Sequence, residues 1–207
     1  MMRYLILTLC IAGLSACNNG GAGEAAGAET FDSSGYVTED IPGTGYQRAT
    51  KANGDGILQE EGQLRNGVKE GTWIIYHPDG MFPEKIISYV AGMYNGPYME
   101  FNERGQMSLR ATYKNNALDG PWAKYRFGRP ETEASYKNGE LDGTFKEYDI
   151  QTGKLMKEVN YKEGKQDGIL RFYNEKGEVT VEYEYNNGEK VGGGIVEHAA
   201  SAGGNAE

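Results

Sequence analysis

Six glycines divide the middle of this chain into near-equal lengths, and no other feature limits the possible folds so sharply. Gly71, Gly96, Gly120, Gly143, Gly168 and Gly192 follow one another at intervals of 25, 24, 23, 25 and 24 residues. The first five each open an aromatic-bearing segment: Glu70-Gly71-Thr72-Trp73-Ile74-Ile75-Tyr76, Asn95-Gly96-Pro97-Tyr98-Met99-Glu100-Phe101, Asp119-Gly120-Pro121-Trp122-Ala123-Lys124-Tyr125, Asp142-Gly143-Thr144-Phe145-Lys146-Glu147-Tyr148 and Asp167-Gly168-Ile169-Leu170-Arg171-Phe172-Tyr173. Val191-Gly192 begins a degenerate copy. Self-similarity at such a period belongs to stacked repeats, whose single units cannot bury their own apolar surface.

Two further landmarks keep the phase. Tyr89, Tyr113, Tyr136, Tyr161 and Tyr185 each precede the next anchor glycine by seven residues, and Leu64 holds that place before Gly71 as a leading half-repeat. Between anchor and tyrosine lies a turn glycine: Gly80, Gly105, Gly128, Gly153 or Gly177. The anchor-to-turn distance is 9, 9, 8, 10 and 9, and the turn-to-tyrosine distance is 9, 8, 8, 8 and 8. Length variation gathers in the first turn, where a surface loop tolerates it. The near-constant remainder suits paired strands of fixed register.

Each unit therefore reads strand, turn, strand, turn. His77-Pro78-Asp79-Gly80 and Asn174-Glu175-Lys176-Gly177 are good turn chemistry. Asn66-Gly67, Asn138-Gly139 and Asn187-Gly188 are hairpin signals, with Asn116 in the equivalent place of another copy. Val179, Val181, Tyr183 and Tyr185 alternate with Glu178, Thr180, Glu182 and Glu184, as a strand with two unlike faces requires. Pro97 and Pro121 are expected at the first strand position, where a missing donor matters least. Glycine supplies 31 of 207 residues, about twice the usual share, which argues against long helices. The expected fold is all-β, an elongated antiparallel meander of about five to six tandem β-hairpin repeats with period 23–25.

The unit Asp-Gly-x-aromatic-x-x-Tyr, then Asn-x-x-Gly, then Tyr-Lys-Asn-Gly is clearest at Asp142 to Tyr148, Asn174 to Gly177 and Tyr136 to Gly139. It resembles the bacterial variant of the MORN repeat, over about residues 57–192. The resemblance implies an elongated sheet of successive hairpins serving as an interaction scaffold, and some proteins of this look are labelled antitoxins. The chain departs from the pattern at Leu170, where an aromatic is expected, and in its last copy.

The first residues read as a targeting segment. Arg3 is followed by an apolar run, Tyr4 to Gly13, and then by Leu14-Ser15-Ala16-Cys17. That tetrad resembles the lipobox of bacterial lipoproteins, which implies cleavage after Ala16 and acylation of Cys17. The alternative is an ordinary secretory signal with an incidental cysteine. Cys10 would leave with the signal, so Cys17 would remain alone, with no internal disulfide. The expected divisions are a signal peptide at 1–16, a disordered tether at 17–45 with the lipidated Cys17, the repeat array at 46–192 and a disordered tail at 193–207. Asn18, standing where inner-membrane retention favours Asp, resembles Gram-negative sorting to the outer membrane.

Charge narrows the partners. Removing residues 1–16 takes away one basic residue and leaves 30 acidic against 20 basic, a net charge of −10. Nucleic acid and anionic headgroups call for a basic face, so neither is expected, and the lipid anchor is the expected membrane contact.

In a regular strand Trp73 and Tyr76 point to opposite faces. One face would carry Trp73, Tyr98, Trp122, Phe145 and Leu170, and the other Tyr76, Phe101, Tyr125, Tyr148 and Tyr173. Which is covered stays open, and a bulge could bring both to one side. Trp73, Tyr98, Trp122 and Phe145 are the candidate binding surface, whereas Tyr89, Tyr113, Tyr136, Tyr161 and Tyr185 are expected in the core. The acids before the anchor glycines, Glu70, Asp119, Asp142 and Asp167, invite a metal reading. Equivalent carboxylates in adjacent units should lie roughly 10 Å apart, too far to share an ion, so turn chemistry is expected of them and no metal. His77 lacks an evident orienting partner, and no catalytic set or cofactor is expected. The function expected is a membrane-anchored, non-catalytic scaffold of the cell envelope that binds a protein. The alternatives are a carbohydrate- or peptidoglycan-binding module and an immunity or antitoxin-like protein that neutralises a toxin.

Overall fold

The computed structural model describes residues 31–197. The expected signal peptide, Cys17, the first part of the expected tether and the tail from residue 198 lie outside the described residues. Sixteen antiparallel strands follow in chain order within one open sheet, and no helix occurs among the described residues.

A leading hairpin of β1 (Val37–Ile41) and β2 (Tyr46–Ala52) precedes β3 (Leu58–Arg65) and β4 (Val68–Tyr76). Next come β5 (Pro83–Val90), β6 (Met93–Phe101), β7 (Met107–Lys114), the short β8 (Ala117–Leu118) and β9 (Gly120–Arg126). β10 (Arg129–Lys137), the short β11 (Glu140–Leu141), β12 (Gly143–Tyr148) and β13 (Leu155–Lys162) continue the meander. β14 (Lys165–Tyr173), β15 (Val179–Asn186) and β16 (Glu189–Ile195) complete it, with β1 and β16 at the edges.

The second turn of every unit is a two-residue loop with both residues at positive φ. Asn66-Gly67 (52° and 73°) and Asn138-Gly139 (51° and 88°) are two examples. That is the type I′ geometry whose twist matches antiparallel strands. Asn115-Asn116, Ala91-Gly92 and Glu163-Gly164 adopt it as well, the last two without an asparagine to announce them. First turns are built differently. Asn53, Asn102, Asp149 and Asn174 each turn a side-chain Oδ1 back onto a backbone N–H two residues on, closing an Asx-turn. The shortest first turn, Phe127-Gly128, is again type I′, which accounts for its missing residues.

The anchor glycine sits opposite the phase-keeping tyrosine. Gly71 pairs with Tyr89, Gly96 with Tyr113, Gly120 with Tyr136, Gly143 with Tyr161 and Gly168 with Tyr185. On its other side the same glycine lies at a bulge. Gly96 has φ 110°, and a Cβ there would stand 3.2 Å from the Ser88 Cβ. The spacing of seven residues is thus set by a tyrosine that leaves one strand, passes the I′ turn and meets a bulge in the next.

Three sequence expectations are corrected. The tether does not run unstructured to residue 45. Val37–Ile41 forms β1, and Phe31 and Tyr36 pack on Trp73 with ring centroids 5.3 and 6.2 Å away. Few as they are, these rings find a completed sheet to bury against, and β2 satisfies the backbone of β1. At the far end, Gly193, Gly194 and Ile195 of the expected tail belong to β16. Pro97 and Pro121 are not first in their strands. Pro97 is the fifth residue of β6, where the register between β5 and β6 shifts, and Pro121 is the second of β9. A bulge spares Pro97 the donor it lacks.

Candidate interaction faces of the sheet

One row of side chains crosses the sheet on the face that carries Trp73. It runs Ala49, Gly62, Trp73, Ile87, Tyr98, Ala111, Trp122, Ala134, Phe145, Val159, Leu170 and Tyr183. From Trp73 to Val159 larger and smaller residues alternate along it. A single-layer sheet has no second layer to fill gaps, so close packing has to come from neighbours within the row. The closest approach is at Gly62, where an added Cβ would fall 2.2 Å from the Trp73 ring.

Burial is strongest at the N-terminal end. Trp73 is 0% exposed and Tyr98 is 9%, with Ile87 and Tyr89 buried beside them. Trp73 and Tyr98 are therefore core, which corrects their place in the candidate binding surface, since side chains with so little accessible area offer a partner almost nothing. Trp122 and Phe145 remain half-buried on the same face, with Tyr136 and Tyr161 edge-on to them at 6.4 and 6.1 Å. Of the phase-keeping tyrosines only Tyr89 is fully buried, and the other four are half-buried.

Lys69 closes the N-terminal end of this face. Its Nζ lies 4.0 Å from the Trp73 ring centre, 5.3 Å from that of Tyr89 and 5.4 Å from that of Phe31, and it pairs with Glu60 Oε1 at 2.7 Å. Tyr36 donates its hydroxyl to the other oxygen of Glu60 at 2.6 Å. Burial, then the bond to Glu60, hold the Tyr36 phenol well above its ordinary pKa. A cation among three ring faces is attracted to each, so Lys69 ties the segment from Phe31 to Tyr36 onto the sheet.

The opposite face has another chemistry. Its central row runs Glu61, Ile74, Ile86, Met99, Arg110, Ala123, Glu133, Lys146, Glu158, Arg171 and Glu182. From Glu133 onward the charges alternate in sign from strand to strand. Arg171 reaches Glu182 at 2.7 Å and Lys146 reaches Glu158 at 3.8 Å. Beside this row stands the column Tyr76, Phe101, Tyr125, Tyr148 and Tyr173, all half-buried. The two aromatic columns do occupy opposite faces. Tyr76, Tyr148 and Tyr173 donate to Glu61, Glu133 and Glu158 at 2.8, 2.7 and 2.9 Å, each partner 15 residues earlier. Desolvation, then these hydrogen bonds, raise all three phenol pKa values. Fifteen residues before Phe101 stands Ile86, an apolar residue in the central row of the same face. Sequence reasoning missed this pairing, although the constant offset was there to be counted.

The acids before the anchor glycines are fasteners. Glu70, Asp119, Asp142 and Asp167 accept the backbone N–H of Ala91, Asn138, Glu163 and Asn187, the first residue of the next unit's I′ turn. Backbone bonds run alongside. Gly92, Asn116, Gly139, Gly164 and Gly188 donate to Lys69, Tyr94, Leu118, Leu141 and Gln166. No group of three or more potential metal ligands is found among the described residues. His77 Nε2 lies 3.0 Å from the Phe101 carbonyl oxygen, a contact from one first turn to the next.

The hairpin formed by β14, its turn and β15 matches a known family. Residues 166–187 are a MORN repeat variant. No curated protein matches the chain. The matched MORN repeat variant contains one anchor glycine, one Asx-turn and one phase-keeping tyrosine, Gly168, Asn174 and Tyr185. The hairpins on either side of it are built with the same devices.

Proposed function

We propose that this chain is a lipid-anchored, non-catalytic scaffold of the cell envelope that binds a protein partner through the charge-and-tyrosine face of its sheet. The observation that carries the reading is the order of that face. Glu133, Lys146, Glu158, Arg171 and Glu182 stand in neighbouring strands, with Tyr148 and Tyr173 already hydrogen-bonded to two of the carboxylates. Side chains fixed before contact lose little entropy on binding, and alternating charge selects register more than it adds affinity. Lipidation at Cys17 rests on the Leu14-Ser15-Ala16-Cys17 sequence, and anchoring would hold such a face near other envelope proteins.

The test compares the full chain with a variant carrying Arg171→Glu and Lys146→Glu. Both are used as bait in detergent-solubilised envelope, with folding checked by circular dichroism. One stoichiometric partner held by the parent and lost by the variant supports the proposal. Equal capture by both, or none by either, opposes it. A second reading, glycan binding, draws on the half-buried Trp122 and Phe145, which stand two strands apart on the aromatic face, roughly 10 Å. Retention on insoluble cell-wall material that Trp122→Ala abolishes would favour that reading instead.

A further inference from the structure

We infer that Asn66-Gly67 is a self-modification site, where the chain deamidates through a cyclic imide far faster than at the equivalent turns Asn138-Gly139 and Asn187-Gly188. In this reaction the Gly67 backbone nitrogen attacks the Asn66 side-chain carbonyl carbon. The new N–C bond closes a five-membered imide, the C–N bond to the side-chain amide breaks, and ammonia leaves with the proton lost from the backbone nitrogen. Water then opens the imide at either carbonyl, giving aspartate or isoaspartate. No oxidant, cofactor or enzyme is required. An Asn-Gly pair suits the closure because glycine adds no side chain to crowd the attacking nitrogen.

Three Asn-Gly pairs share the I′ geometry and all are exposed, so neither conformation nor access separates them. Hydrogen bonding does. The Gly139 and Gly188 N–H groups donate to Leu118 and Gln166 carbonyls at 2.8 Å, which occupies the nucleophile. The N–H of Asn138 and of Asn187 is held by Asp119 and by Asp167, and the Asn187 side-chain oxygen accepts from Lys165. At Asn66-Gly67 no such bond to the nucleophile, to the Asn66 N–H or to its side chain occurs among the described residues. Only the Gly67 carbonyl is engaged, by Phe31 N–H. The cause lies in the array. Four of the five later turns rest on an acid and a carbonyl of the preceding unit, and Asn115-Asn116 rests on Asn95 and the Tyr94 carbonyl, whereas about 21 residues before Asn66 the chain has Gly45-Tyr46 and no acid.

The product matters to this end of the molecule. Isoaspartate adds one backbone atom to the turn that seats Phe31, and either product places a new carboxylate near Asp40, which lines the same open groove as Asn66 and Gly67. The inference stands apart from any partner the sheet binds.

Full-length protein is incubated in mildly alkaline buffer, and the three sites are followed by peptide mass mapping, with isoaspartate counted by enzymatic methyl transfer. The bonds that hold the other two turns must open before ring closure, so Asn66 is expected to react about tenfold faster than Asn138 and Asn187, a factor that corresponds to about 1.4 kcal/mol in the barrier. Gly67→Ala, which crowds the nucleophile, should slow the reaction at Asn66, and Asp167→Ala should speed it at Asn187. Equal rates at the three sites in the parent, or fastest reaction at Asn138 or Asn187, would overturn the inference. If Gly67→Ala fails to fold, the parent ranking and Asp167→Ala still decide it.

Discussion

Leu170 and Tyr183 face each other across β14 and β15 with the usual order of sizes reversed. In the earlier units the first strand carries the large residue and the second the small one, as with Trp122 and Ala134 or Phe145 and Val159. Where the first strand has only a leucine, the second has a tyrosine, which pairs with Gly193 in the next strand. The total volume of the row is kept while its order changes, which explains why a departure from the repeat pattern does not interrupt the sheet.

Leu170→Phe should therefore destabilise the chain by about 1–3 kcal/mol, because the space for a ring is already taken. Adding Tyr183→Val should recover a large part of that loss. Urea denaturation of the two single variants and the double variant measures the coupling, and strict additivity would contradict compensation.

Gly62→Ala probes the tightest contact in the row. A methyl group 2.2 Å from the Trp73 ring must push that ring aside, at a cost of about 1–3 kcal/mol. Trp73 is fully buried, so its displacement should shift tryptophan emission to longer wavelength. Unchanged emission and stability would show that the ring does not lie over Gly62.

The inter-unit fasteners are open to a similar test. Asp119→Ala removes the acceptor for the Asn138 N–H, a loss expected at about 1 kcal/mol in a solvent-facing bond. Glu103→Ala, in an exposed first turn with no such bond, should change stability by less than about 0.5 kcal/mol. Urea midpoints compare the two, and equal effects would remove the fastening role.

Alkali should unfold the chain earlier than its fold class alone suggests. Tyr36, Tyr76, Tyr89, Tyr98, Tyr113, Tyr136, Tyr148 and Tyr173 all have raised phenol pKa values, with burial the first cause in each. A raised value means that the folded state binds more protons than the unfolded one in the interval between the two. Their contribution is complete below the unfolded value of about 10 and declines as pH rises above it. Ultraviolet titration should show these phenols ionising late and together with loss of the sheet. Reversible ionisation of all tyrosines near pH 10 with the sheet intact would contradict their burial.

The repeat devices were legible in the sequence because each is local. The spacing of Gly71 to Gly168, the turn glycines and the phase of Tyr89 to Tyr185 are properties of one strand–turn–strand passage, and the sheet obeys them. What was hidden depends on which strand lies next to which. The core status of Trp73 follows from Gly62 on one neighbour and from Phe31 and Tyr36 far along the chain. The role of Asp119 follows from a turn in the next unit, 19 residues away. Ala91-Gly92 and Glu163-Gly164 form I′ turns with no asparagine at the first position, because each is bonded to the preceding unit. Of the candidate surface, Trp122 and Phe145 keep an accessible side, while the ordered charge row on the other face, which no single repeat reveals, had not been anticipated.

Hydrogen exchange at the second turns tests the stacked sheet most directly. The turn amides of Gly92, Asn116, Gly139, Gly164 and Gly188 would exchange freely in isolated hairpins, but here each donates to the unit before it. They should be protected as strongly as neighbouring strand amides, while the Gly67 amide exchanges quickly. Rapid exchange at all six turns, with protection confined to the strands, would mean that the hairpins are not fastened to one another.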